Sequence, residues 1–136
     1  MNWKLIIQLS AFGLIMAFAT ISLIPEKIEP AFWLVIFIFC AYVIAKVCTG
    51  KHFLHGFLVS LVNCVWITCT HIAFYSTYIA HHPSMAKMAT DHPMLPTHPR
   101  AAMLLTGPVA GIISGLVLGL FAFIASKIVT KNVAVQ

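Results

Sequence analysis

Apolar positions in this chain gather into four long blocks separated by short polar breaks, without the alternation of a half-buried strand. A block of about 20 apolar residues with few charges reads as a membrane-crossing helix, because the hydrocarbon core is about 30 Å thick. The first block runs from about Leu5 to Ile24 and stops at Pro25. Within it, Ala17-Phe18-Ala19 resembles a signal-peptidase site. The apolar run continues past it to Ile24, so the segment is read as a retained span. The second runs from about Pro30 to Val47. Pro30 suits a first helical turn, Glu29 the positive end of the helix dipole, and Trp33 the membrane interface. Gly50 follows, where it can supply a left-handed cap. The third block, about Phe53 to Ile79, would be about 40 Å long at ~1.5 Å per residue, so it must tilt or project. Tyr75 and Tyr78 would anchor its far end. The fourth runs from Ala101 to Val129 and contains Pro108, which has no N–H to donate. Either the helix kinks there, or residues 101–107 form a short segment before the span; the pattern alone leaves both open.

Composition agrees. Of 136 residues, 61% are hydrophobic and 8% charged, against about 25% charged in a soluble domain. The fold class expected is an all-α membrane protein: one domain over residues 1–136, four transmembrane helices in an antiparallel bundle. The net charge of +5 is not a nucleic-acid signal here, since its placement matters more than its sum. If the spans alternate, Lys4, Lys46, Lys51, Lys127 and Lys131 share one side, and Lys27, Lys87 and Arg100 the other, with all three acids. The positive-inside rule then puts both termini in the cytoplasm, in a bacterial inner membrane. Residues 25–30 and 48–52 are tight connections, which suggests that the first three spans form a meander. Residues 80–100 make the one long loop, on the outer side.

Three features could carry function. The first is Gly107, Gly111, Gly115 and Gly119, spaced by four on the last span as in a glycine zipper. Without side chains, that face lets another backbone come close. It can serve packing within the bundle, or assembly into a homo-oligomer or larger membrane complex. The second is the outer loop, holding His81, His82, His92 and His98 with Met85, Met88 and Met94. Imidazole and thioether are ligands for copper and zinc, although three His-Pro pairs imply extended chain that wraps an ion poorly. The third is a polar stripe on the third span: Cys64, His71, Tyr78 and His82, flanked by Thr68 and Tyr75, with Asn63 on a neighbouring line. His71 is the one histidine well inside a span, where ionisable groups suggest function. The four cysteines, Cys40, Cys48, Cys64 and Cys69, form no C-x-x-C pair and read as small apolar residues.

No Asp, Glu, Lys or Arg lies deep in a span, and no nucleophile–base or carboxylate pair is visible. Catalysis is therefore not expected. The first reading is a non-enzymatic accessory or self-associating four-helix bundle with the lipid bilayer as its surroundings. The alternative is a transporter or channel for a small solute or transition-metal ion.

Overall fold

The computed structural model of the protein describes residues 1–91 and 98–129. Its elements are α1 (Trp3–Ser22), α2 (Glu29–Val47), α3 (His52–Ala73), α4 (Tyr75–His81), α5 (Pro83–Asp91) and α6 (Pro99–Ile128). Among the described residues there is no strand, and α1, α2, α3 and α6 are long and apolar enough to cross a membrane.

Local chemistry sets the ends of these helices. Asn2 caps α1, its side-chain oxygen accepting the Leu5 N–H at 3.1 Å. Pro30 occupies the first turn of α2 beside Glu29, and Lys46 lies in its last turn, each at the dipole end that favours it. The left-handed residue between α2 and α3 is Lys51 (φ 54°), not the expected Gly50, since no glycine has positive φ. The Lys51 carbonyl is held twice, by the His55 N–H at 3.0 Å and by His55 Nδ1 at 2.8 Å. That pair of bonds offsets the steric cost of a left-handed side chain, about 1–2 kcal/mol.

Two further expectations are corrected. The third apolar block is not one helix. At Phe74 the backbone leaves the helical region (φ −107°, ψ 32°), dividing α3 from α4. The Phe74 N–H still reaches Thr70 O at 2.9 Å and Tyr78 N–H reaches Phe74 O at 3.0 Å, so the chain turns without losing these bonds. The outer loop is not extended throughout either. Pro83 and Pro99 each begin a helix, α5 and α6, because proline is disfavoured inside helices but accommodated in a first turn, where its missing N–H has no partner to lose. The fourth block resolves into one helix that passes through Pro108 and includes residues 101–107.

Neighbours in space are not neighbours in sequence. α3 lies between α1 and α6, packing most extensively on α6; α2 packs on α6 and touches α1 only lightly. The meander expected from the short connections is therefore absent. Along α1 and α3 the partnered positions climb together: Asn2 with His55, Gly13 with Asn63, Thr20 with His71. Along α3 and α6 they run oppositely: Phe53 with Gly119, Phe57 with Gly115, Cys64 with Gly111, Thr68 with Gly107. The apolar core gathers at one end, where Leu5, Ile6, Leu9, Ile44, Val59, Leu118 and Ala122 meet. The other end, towards Glu29 and Thr20, is more open.

Candidate functional site

The open end contains a cavity of about 840 Å³ between α2 on one side and α3 and α6 on the other. Its walls are mainly apolar, with Trp33, Leu34 and Phe37 from α2, Ile67 from α3, and Ile113, Val117 and Phe121 from α6. Polar groups enter at separate points: Thr20, Ser60, Asn63, Cys64, Thr68 and Ser114 within, and the carboxylates Glu26 and Glu29. A volume of this size with few placed polar groups is typical of a small-molecule site.

Asn63 belongs to the lining but turns its amide towards α1. Its side chain is 2% exposed, yet neither its amide oxygen nor its amide nitrogen has a hydrogen-bond partner. Leaving a buried polar group unpaired costs about 1–3 kcal/mol, more in an apolar medium. Gly13 of α1 makes room for this amide, since a Cβ there would collide with the Asn63 side chain. The other inward polar groups are satisfied. Ser114 donates to Ala110 O at 2.8 Å, so its oxygen is free to accept the Ser60 hydroxyl at 2.7 Å. The Cys64 thiol donates to Gly107 O at 2.9 Å.

The four spaced glycines of α6 all face α3. A Cβ would meet Thr68 at Gly107, Cys64 at 2.7 Å from Gly111, Phe57 at 2.9 Å from Gly115, and Phe53 at 2.9 Å from Gly119. This face is occupied within the monomer. Gly56 of α3 makes the reciprocal approach, a Cβ there lying 2.6 Å from Leu118 O. The sequence does not mark Gly13 and Gly56 in this way, because each is alone on its helix and has no periodic partner.

The polar stripe of the third block divides. Cys64, Thr68 and Asn63 line the cavity. His71, Tyr78 and His82 form a separate column of stacked rings, with centroids 4.0 Å and 4.1 Å apart. Thr20 gives its hydroxyl proton to Met16 O at 2.8 Å, which leaves its oxygen to accept His71 Nε2–H at 3.0 Å. At the other end of the column His82 donates Nδ1–H to Tyr78 O at 2.9 Å. Its Nε2 has no hydrogen-bond partner and lies 3.7 Å from Glu29 Oε2. Tyr75 points elsewhere, under the Arg100 guanidinium at 5.8 Å.

The His/Met set is not brought together. His82 is buried, while its neighbour His81 is exposed and donates to Thr77 O at 2.9 Å. Met85, Met88 and His98 are exposed on α5 and before α6; His92 and Met94 lie outside the described residues. Among the described residues, no three His, Cys, Asp or Glu side chains form a group that could hold a metal ion. No protein-family model, curated protein or solved structure matches the chain.

Proposed function

We propose that this chain is a non-enzymatic four-span protein of a bacterial inner membrane, with both termini cytoplasmic, that takes a small, mainly apolar solute into a cleft open towards the outer side. The observation that carries this reading is the cavity itself, about 840 Å³ with mainly apolar walls and a few separately placed polar groups. The apolar core closes the opposite, cytoplasmic end, as expected of an outward-facing state of a solute carrier.

This reading is favoured over a self-associating bundle by the use already made of the glycine face. A partner helix would have to displace α3 from it. Assembly, if it occurs, would use the opposite face of α6, with Ile112, Leu116 and Leu120.

The test is to purify the protein in mild detergent and identify small molecules released on denaturation by mass spectrometry. Wild type should carry a defined compound in near-stoichiometric amount. Ala110→Phe should lose it while keeping its thermal transition, since Ala110 lines the cavity and is exposed, so that the ring fills the space a solute would take. Equal retention by both proteins would overturn the reading.

A further inference from the structure

We propose that the cleft selects lipophilic organic cations; this rests on the cleft being a solute site. Glu26 and Glu29 are the charged residues of the lining, and no Lys or Arg contributes to it. Each carboxylate already has one protein donor. Glu29 Oε1 accepts Trp33 Nε1–H at 3.1 Å, and Glu26 Oε2 accepts the Ser84 N–H at 3.3 Å. A carboxylate has about four lone-pair sites, so both keep acceptor capacity towards a ligand. Their basic neighbours are poorly placed to neutralise them. The ion-pair contact to either acid among the described residues is that of His82 with Glu29 at 3.7 Å. Arg100 is committed to the Tyr75 ring, and Lys27, next to Glu26 in sequence, is not part of the lining.

The rest of the cleft suits the same ligand class. Trp33, Phe37 and Phe121 present aromatic rings, whose faces attract cations as well as apolar surface. A fatty acid or a phospholipid phosphate would bring negative charge to two carboxylates with no Lys or Arg in the lining to offset it. Such like-charge juxtaposition costs several kcal/mol where water is scarce. The sign of charge separates this class from other apolar solutes.

Tetraphenylphosphonium and tetraphenylborate have nearly the same shape and opposite charge, and a neutral tetraphenyl compound completes the series. Each is added to the purified wild-type protein in detergent, and alkylation of Cys64, whose thiol lines the cleft, is followed by peptide mass spectrometry. Tetraphenylphosphonium should slow alkylation saturably, and the anion and neutral compound should do so at least about tenfold less effectively, equivalent to about 1.4 kcal/mol. The Glu26→Gln, Glu29→Gln double variant retains acceptors for Ser84 and Trp33. It should lose about tenfold in affinity for the cation. Protection by the anion or the neutral compound equal to that by the cation would overturn the charge inference and leave the cleft reading standing. Protection by none of the three would overturn both. If the double variant fails to fold, the wild-type comparison of the three compounds still decides.

Discussion

At the scale of single residues, the chain uses glycine for contact more than for conformational freedom. A Cβ added at Gly50, in a turn, would have nothing within 4 Å, whereas one added at Gly56 would lie 2.6 Å from the Leu118 carbonyl. A backbone atom cannot swing aside as a side chain can, so Gly56→Ala must separate α3 from α6. The expected cost is about 1–3 kcal/mol, the usual range for overpacking. Gly111→Leu and Gly115→Leu should cost at least as much, since Cys64 and Phe57 stand under 3 Å from the added Cβ. Gly50→Ala should leave stability within about 0.5 kcal/mol of wild type. Thermal or denaturant unfolding in detergent would check the series, and equal midpoints for Gly56→Ala and Gly50→Ala would contradict it. Only part of this was legible in the sequence. The spacing of four on the last span marks a close-packing face, but its partner is a matter of tertiary structure. Isolated glycines such as Gly13 carry no such mark.

At the scale of elements, hydropathy located the four long helices because a helix in lipid must be apolar all round over its whole length. The same property hid the break at Phe74. Apolarity continues across it, and the turn is made by backbone angles rather than by a proline or a charge. Proline misled in the opposite direction. In the outer segment it suggested extended chain, yet Pro83 and Pro99 open helices. Pro108 is different again, since α6 continues through it and loses one backbone bond, that to the Leu104 carbonyl. In water an internal proline costs about 3 kcal/mol, and within a bundle part of that is recovered by local adjustment. Pro108→Ala should therefore keep the fold, with equal or greater stability by thermal unfolding, because the helix it would restore is already present. Loss of the folded state would mean that the α3–α6 seam depends on a proline-induced bend at this position.

At the scale of the whole molecule, the functional reading depends on an asymmetry between the two ends. The apolar core closes the end where α1 begins, and the cleft lies towards the end where α1 finishes. That asymmetry was not visible in the sequence, because it arises from α1 lying beside α3 instead of α2. The lysines give an expectation for the direction in which the cleft faces. If five basic residues mark the cytoplasm, the acidic mouth faces outward and the solute arrives from outside. Reversing the orientation would turn the same cleft into an exit towards the cytoplasm, so the proposal stands or falls with topology. Ser84, exposed at the start of α5, and Thr49, exposed between α2 and α3, lie at opposite ends of the molecule. Ser84→Cys should react with a membrane-impermeant maleimide in intact cells. Thr49→Cys should react only after the membrane is permeabilised. Cys40 and Cys48 are buried, Cys64 lines the cleft and Cys69 is exposed on α3, so both variants are made with Cys64 and Cys69 replaced by serine. Labelling of Thr49→Cys in intact cells, with Ser84→Cys protected, would reverse the orientation and leave the cleft open to the cytoplasm.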